Sequence, residues 1–328
     1  MALTTIETSS RGAIEGSVAA ALQGRRTDAR GRVFELALVG CLLLSLLILG
    51  MLLLDVVRDG VPVYTDRGYD FLDRGLSQDA ARAGVAQGII GSFWIAVTVV
   101  VVAIPLGIGA AIYLEEYAPR SRLTSFIEIN VRNLAGVPSV VYGLLGLAVF
   151  VEALNGLTGA EGVDRRTLIA AGMTLAVLVL PIMIITAAEA IRAVPQSLRE
   201  GAYGVGATRW EVIRSHVLPY ATPGILTGAL LSIARAVGEA APLILLGGVT
   251  GLAGRSPGLS FGSVLDPGSL PERFTAMPIV ITAWAKLPQE EFKTANTAAA
   301  IMAMLVFVLL VNSIAIVLRN RFEKKRSA

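Results

Sequence analysis

The chain has 328 residues, of which 54% are apolar and 16% are charged, and its mean hydropathy is +0.68. Soluble domains carry about 25% charged residues, so this composition is typical of a membrane protein. The net charge of +3 and the 6% aromatic content give no support to a nucleic-acid-binding function. A single cysteine, Cys41, and a single histidine, His216, exclude an intrachain disulfide and a zinc site.

The amino-terminal region is polar and is followed by one long apolar run. Residues 1–33 contain five arginines against three acidic residues, and we predict a loosely ordered tail. The first transmembrane helix is predicted at 34–56, because this length covers about 34 Å as a helix. Residues 57–88 include five aspartates and are predicted to form a loop outside the membrane.

Further apolar runs predict five more transmembrane helices, at 89–114, 127–153, 168–191, 219–248 and 297–318. Pro105 and Pro181 lie inside two of these runs, where neighbouring helices can satisfy the freed carbonyl groups. Gly136 and Pro138 interrupt another, and interrupted helices at membrane depth often border a binding cavity. The sequence therefore predicts an all-α, polytopic membrane protein with six transmembrane helices.

The loop charges predict the orientation of these helices. Segments 1–33, 115–126, 192–218 and 319–328 together carry a net charge of +8, whereas 57–88, 154–167 and 251–296 together carry −1. The first set is therefore predicted to be cytoplasmic. The resulting domain organisation is a cytoplasmic tail 1–33, a first helix 34–56, an extracytoplasmic loop 57–88, a transmembrane domain 89–318 with a cytoplasmic loop 192–218, and a cytoplasmic tail 319–328.

The cytoplasmic loop is short and polar, and it cannot cross a bilayer. It predicts a short helix from Gln196 to about Val205, a break at Gly206, and a second amphipathic turn that ends at Leu218-Pro219. Small side chains leave room on one surface for another protein's backbone to approach closely. They are Gly201, Ala202, Gly204, Gly206 and Ala207.

This loop resembles the cytoplasmic signature of ABC importer permeases: Glu-Ala-Ala, three residues, Gly, nine residues, Ile, one residue, Leu-Pro. The positions in register are Glu200, Ala202, Gly206, Leu218 and Pro219, whereas Gly201 and His216 replace the usual alanine and isoleucine. Three other stretches resemble the phosphate-importer branch of this family: ARAVGEAAPL (234–243), NLAGVPSVVYGLLGLAVF (133–150) and FTAMPIVITAWAKLPQEEF (274–292). The last stretch and the ending VLRNRFEKK are more similar to the PstA type, and the resemblance covers about residues 88–322.

The resemblance implies a type I ABC importer permease (MetI-like) fold in a bacterial inner membrane. It implies that the 196–218 loop docks onto an ATPase subunit, rather than serving as an ordinary connection, through Glu200, Gly201, Ala202, Gly206, Ala207, Leu218 and Pro219. The implied partners are a PstC-type permease that completes a heterodimer, two copies of the ATPase subunit, an extracytoplasmic phosphate-binding protein, inorganic phosphate and membrane lipid. ATP and Mg would be bound by the ATPase subunits, and this chain would hold no cofactor.

Two charged residues lie in the middle of the predicted fifth span. Arg235 and Glu239 are four residues apart, so a continuous helix would place them on one face. A charge at this depth costs several kcal/mol unless it faces a cavity or a partner. One interpretation is an anion pathway, in which the planar guanidinium binds phosphate and the acid limits how tightly it is held. The other is a structural ion pair between packed helices.

The other charged residues near the span ends are expected to have structural roles. Glu128 and Arg132 are expected to lie at the cytoplasmic end of the third span, where a snorkelling side chain costs little. Glu189 is expected to pair with Arg192 or Arg199. The chain contains no G-x-x-x-x-G-K-[ST] motif for nucleotide phosphates and no catalytic set, so we predict no enzymatic activity of its own.

The prediction from sequence is therefore the permease subunit of an ATP-driven phosphate importer. The first alternative is a permease for another oxyanion, such as molybdate, sulfate or phosphonate. An ATP-independent channel or carrier is a second alternative, but it would have no use for a docking loop. A membrane scaffold for signalling is a third, but it would not need Arg235 and Glu239 at mid-membrane.

Overall fold

The computed structural model describes residues 29–154, 167–248 and 274–327. Most of the predicted amino-terminal tail and large parts of the 154–167 and 251–296 loops lie outside these ranges. Contacts divide the chain into two units, Met1–Asp55 and Val56–Ala328. The described residues contain no β-strand, as the all-α prediction requires.

The α-helices are α1 Ala29–Arg67, α2 Asp70–Asp73, α3 Ala86–Ile112, α4 Arg122–Ala135, α5 Ser139–Gly146, α6 Leu168–Arg192, α7 Gln196–Gly204, α8 Arg209–Val212, α9 Leu218–Gly238, α10 Ala241–Leu245, α11 Met277–Trp284 and α12 Thr297–Ser327. Wider, π-helical turns lie at Tyr113–Tyr117, Leu147–Ala153, Ile213–Val217 and Phe292–Asn296. Five continuous helices in these ranges are long and apolar enough to cross a membrane, and a sixth crossing results if the bent pair α4 and α5 counts as one.

Helix α1 is longer than the predicted first span. Charged residues after position 54 lower the hydropathy, and for this reason the sequence predicted a loop from residue 57. Charge does not end a helix, and α1 continues to Gly68, which takes a left-handed conformation with φ 57°. Its last turns belong to the second unit, where the Tyr64 hydroxyl donates to the Ala299 carbonyl at 2.7 Å. The prediction that 57–67 is a loop is therefore wrong.

Two segments that the sequence predicted as loops outside the membrane form a buried aromatic cluster. Phe71 of α2 lies 6.4 Å from Trp284 of α11, and Trp284 lies 5.4 Å from Phe292, measured between ring centroids. The run MPIVITAW (277–284) is too short to cross a bilayer, so hydropathy assigned it to the loop 251–296. The structure corrects this assignment, because α11 is a buried helix that packs on α3 and α12.

The core of the second unit is the contact between α3 and α6. These helices nearly coincide with the predicted spans 89–114 and 168–191. They approach closely at two glycines: a Cβ at Gly107 would lie 2.5 Å from Cγ of Met183, and a Cβ at Gly172 would lie 2.6 Å from Cβ of Thr98. Small residues at helix contacts are the usual means of close packing in membranes.

Gly91 of α3 gives a direct test of this packing. A Cβ there would lie 1.9 Å from the backbone oxygen of Thr275, and that backbone is held because the Met277 N–H donates to the Ser92 hydroxyl at 2.9 Å. We expect Gly91→Ala to lower the free energy of unfolding by about 1–3 kcal/mol, as overpacking does. Thermal unfolding of the purified protein in detergent measures the effect. Gly109→Ala is the matched control, since its Cβ meets nothing within 4 Å; equal melting temperatures for the two variants would contradict the packing.

The predicted third span, 127–153, is not one straight helix. Helix α4 and the stretch Ser139–Ala153 meet at an angle of 100°. The break falls at the predicted interruption, Gly136 and Pro138, because proline lacks the N–H that would continue the helix. The Tyr142 hydroxyl satisfies one of the last carbonyls of α4 by donating to Leu134 at 2.9 Å.

The last two predicted spans also have different boundaries. The second amphipathic turn of the cytoplasmic loop does not end at Leu218-Pro219, because Pro219 occupies the first turn of α9, where a missing N–H is tolerated. Residues 209–238 therefore form one continuous helical stretch. The fifth span ends at Gly238 rather than at 248. The predicted tail 319–328 is helical through Ser327 as part of α12.

Candidate docking surface and ion-pair site

The cytoplasmic loop folds as a short helix, a glycine turn and a second helix. Gly206, at φ 84°, provides the left-handed residue after α7. A reciprocal capping box begins α8: the Thr208 hydroxyl accepts from the Glu211 N–H at 3.4 Å, and the Glu211 carboxylate accepts from the Thr208 N–H at 2.7 Å. The predicted break at Gly206 thus has a local chemical cause.

The predicted coupling residues do not all share one surface. Ala202 is buried in a cluster with Val212 and Val217, and Ala207 and Leu218 are half-buried. The residues that remain exposed are Glu200, Gly201, Gly206 and Pro219. Ala202 therefore fixes α7 to the rest of the loop, which corrects the prediction that it contributes to a surface for a partner.

The exposed side of α7 has an open, glycine-lined centre. Around Gly201 and Gly204, an added Cβ would meet nothing within 4 Å. Large apolar side chains flank this opening, and Val205 is 86% exposed. The docking surface is defined here as Leu198, Glu200, Gly201, Tyr203, Gly204, Val205 and Trp210. Sequence analysis missed the apolar members, although large apolar residues in a predicted cytoplasmic loop are themselves a signal.

Two ion pairs lie at the base of the loop. Arg192 pairs with Glu115 at 2.5 Å, and Arg199 pairs with Glu116 at 3.0 Å. Both acids come from the π-helical turn that follows α3. The predicted partner, Glu189, accepts neither of these hydrogen bonds, although its charge acts on the Arg192 guanidinium from a greater distance. Sequence separations of 77 and 83 residues left no pattern from which to infer the true partners.

Arg235 and Glu239 are paired, but not along one helix as predicted. Helix α9 ends at Gly238, and Glu239 has extended dihedrals, φ −83° and ψ 116°. The Nε of Arg235 lies 3.5 Å from Oε1 of Glu239, and the two side chains are 43% and 20% exposed. The Arg235 guanidinium is thus only loosely held by its acid, and a guanidinium carries four further N–H donors besides the one on Nε.

The break after α9 lies against the broken third span. Helix α10 packs on α5, where a Cβ at Gly143 would lie 2.7 Å from Cα of Pro242. The Tyr142 phenol is within electrostatic range of the Arg235 guanidinium. Two interrupted helices therefore meet beside the ion pair, an arrangement that transporters use to border a substrate site.

Glu128 and Arg132 lie elsewhere. Together with Glu115, Glu189 and Arg192 they line a small pocket between α4 and α6, away from Arg235. Within the described ranges, no group of three or more acidic, cysteine or histidine side chains could hold a metal ion. Arg235 and Glu239 therefore remain the candidate anion-binding pair that the sequence predicted.

Residues 103–327 match the model of one protein family, the binding-protein-dependent transport system inner membrane components. The chain belongs to this family. It is a multi-pass membrane protein, as the apolar helices already indicated. The predicted MetI-like permease fold is likewise confirmed by the family and by the likeness of this transport-system component to solved importers.

Three curated relatives illustrate the sequence similarity. The transport-system component is 36% identical over 182 residues to the probable ABC transporter permease YqgI of Bacillus subtilis, covering 56% of this chain and 59% of the relative. It is 38% identical over 177 residues to the phosphate transport system permease PstA of Mycobacterium leprae, covering 53% and 55%. With PstA of Yersinia pestis it shares 34% identity over 248 residues, covering 76% and 75%. The predicted resemblance to PstA-type permeases is confirmed, although the alignments span less than two thirds of the first two relatives.

Solved structures match the fold. A bacterial ABC transporter that imports alginate aligns with a TM-score of 0.60 at 15% identity, covering 90% of this chain and 98% of that one. The inward-facing MetNI methionine transporter aligns with a TM-score of 0.50 at 17% identity, covering 73% and 94%. At these identities the likeness establishes architecture and says nothing about what is transported.

Proposed function

We propose that this chain is the transmembrane permease subunit of an ATP-driven phosphate importer and forms half of the translocation pathway. One observation carries the proposal: a continuous helical stretch, residues 209–238, runs from the docking surface to the Arg235–Glu239 pair. A movement imposed at the docking surface would therefore reach the ion pair through continuous helix. The named phosphate transport relatives support phosphate as the substrate.

The chemistry of the pair suits transient binding of an oxyanion. The planar guanidinium of Arg235 presents a fork of donors that matches phosphate oxygens. The Glu239 carboxylate at 3.5 Å competes for the same donors and repels the anion. Binding is thus weak enough for release, and in this scheme the acid has a function in turnover rather than in affinity.

The proposed complex contains partners that supply what this chain lacks. A PstC-type permease completes the heterodimer, and an extracytoplasmic binding protein delivers phosphate. Two ATPase subunits bind ATP and Mg, and the docking surface of this chain contacts one of them. The chain itself is non-catalytic. The carrier or channel alternative is disfavoured because the glycine-lined docking surface would then have no occupant.

The proposed orientation places both termini in the cytoplasm, and cysteine labelling tests it. In a Cys41→Ser background, which removes the exposed native thiol, Ser269→Cys is expected to react with an impermeant thiol reagent in intact cells. Ser327→Cys is expected to react only after the cells are permeabilised. The charge asymmetry of the loops is the physical reason. The opposite labelling pattern would reverse the orientation and place the docking surface outside the cell.

Reconstitution of the whole complex tests the proposed function. We expect liposomes that contain this chain, the PstC-type permease and the ATPase to accumulate phosphate only when ATP and the binding protein are present. Molybdate, sulfate and phosphonate serve as competing substrates, since the guanidinium fork would also accept their oxygens. Uptake of one of them in preference to phosphate would establish that alternative, and uptake without ATP would establish a carrier.

A further inference from the structure

We propose that the buried ion pair between Arg199 and Glu116 is the internal joint through which movement of α7 reaches the membrane spans. This inference rests on the proposed function, because it assumes that α7 is displaced by an ATPase subunit. It concerns a contact inside this chain rather than the docking surface. Arg199 is a positioning residue in this scheme, since it touches neither substrate nor partner.

One guanidinium connects three elements. From α7, Arg199 donates through Nη2 to Glu116 at 3.0 Å, in the turn that ends the α3 stretch. It also donates through Nη1 to the Val194 carbonyl at 2.6 Å, just after α6, and through Nη2 to the Ile191 carbonyl at 2.8 Å, in the last turn of α6. Those carbonyls lie where a helix lacks internal donors. Helix α7 is thus attached directly to the carboxyl-terminal ends of the α3 stretch and of α6.

Burial makes this attachment stiff. The Arg199 and Glu116 side chains are 14% and 8% exposed. Separating a buried pair leaves each charge without compensation, which is much more costly than breaking a solvated pair. A displacement of α7 is therefore expected to carry the ends of α3 and α6 with it rather than to break the contact.

A second pair in the same place provides a matched control. Arg192 and Glu115 also join the ends of α6 and α3, but the Arg192 side chain is 53% exposed, and its two hydrogen bonds to Glu115 do not involve α7. Glu115 and Glu116 are consecutive residues of one turn. Their arginine partners differ in exposure, 53% against 14%, and only Arg199 belongs to α7; these two properties define the joint.

The test uses the complete complex in liposomes with purified binding protein. Glu116→Gln removes the charge while keeping the volume, and Glu116→Asp keeps the charge but shortens the side chain, which guards against loss of assembly. Arg199→Lys replaces the planar guanidinium with a compact ammonium charge. Per assembled complex, we expect the binding-protein-stimulated ATPase activity to fall roughly tenfold in Glu116→Gln and less in Glu116→Asp, because a buried pair is broken. Basal ATPase activity should remain, and Glu115→Gln should resemble wild type.

Each outcome is decisive. If the Glu116 variants reduce only the amount of complex, while stimulation and phosphate uptake per complex stay at wild-type level, the pair is a brace and the inference is wrong. Equal losses of stimulated ATPase activity in Glu115→Gln and Glu116→Gln would also overturn it, since the pair that involves α7 would then be no more important than the pair that does not. Failure of wild-type complex to take up phosphate rejects the proposed substrate instead, and the ratio of stimulated to basal ATPase activity still tests the joint.

Discussion

Replacement of Arg235 by glutamine is expected to reduce phosphate uptake by roughly 10- to 100-fold, because a hydrogen bond to a charged group contributes about 1.5–3 kcal/mol. The amide keeps much of the volume and loses the charge, so the complex should still assemble. Arg235→Lys should also transport poorly, since an ammonium group does not reproduce the planar fork. The measurement is initial phosphate uptake in liposomes, normalised to the amount of assembled complex.

Glu239 distinguishes the two interpretations of the pair. In the anion pathway, Glu239→Gln should preserve phosphate binding and slow its release. If the pair were structural, either single change would strand a charge and lower the amount of complex, and the double change Arg235→Gln with Glu239→Gln would restore it. Normal phosphate uptake by the double variant would contradict the pathway. The 43% exposure of Arg235 already favours a charge that faces a space outside this chain.

Filling the glycine-lined opening is expected to uncouple the complex. Gly201→Trp places a large side chain at the centre of the docking surface, where the added Cβ would meet nothing within 4 Å apart from adjacent residues and the backbone of α7 itself. The fold should therefore be unaffected, while the ATPase subunit can no longer approach closely. We expect loss of phosphate uptake and of binding-protein-stimulated ATPase activity, with this chain still inserted and paired with its permease partner.

The choice of glycine matters in this experiment. Gly206 has a φ of 84°, so any side chain there strains the turn and would confuse misfolding with loss of docking. Gly109 in α3 is equally open, and Gly109→Trp is the matched control. Wild-type stimulation in Gly201→Trp would exclude this face as the docking site. A loss of similar size in Gly109→Trp would attribute the effect to the bulk of tryptophan in general.

Sequence patterns predicted the long apolar helices well and the remaining helices poorly. The predicted span 168–191 coincides with α6 because Thr167 caps one end and the apolar run fills the rest. Hydropathy failed for 57–67, where a polar segment stays helical, and for α11, which is apolar but too short to cross a bilayer. Both segments are fixed by contacts with residues distant in sequence, which a single sequence does not display.

The candidate site shows the same division. The turn at Gly206 was predictable because glycine alone adopts its conformation cheaply. The inward orientation of Ala202 was not, because it depends on packing against Val212 and Val217. The spacing of Arg235 and Glu239 predicted a pair, and they do pair. The end of α9 between them was not predicted, because Gly238 is the only residue there that indicates a helix end. The partners of Arg192 and Arg199 required the three-dimensional arrangement of the ends of α3 and α6.

The π-helical turn Ile213–Val217 sets the rotational phase of the stretch that joins the docking surface to Arg235. Successive residues of an α-helix are about 100° apart around the axis, and a π turn accommodates one extra residue within the helix. If this turn tightened to α-helical geometry while the docking end stayed fixed, every later residue would rotate by about that angle. Arg235 would then face a different direction. Rotation of the helix about its axis, as well as its displacement, would therefore change what Arg235 faces.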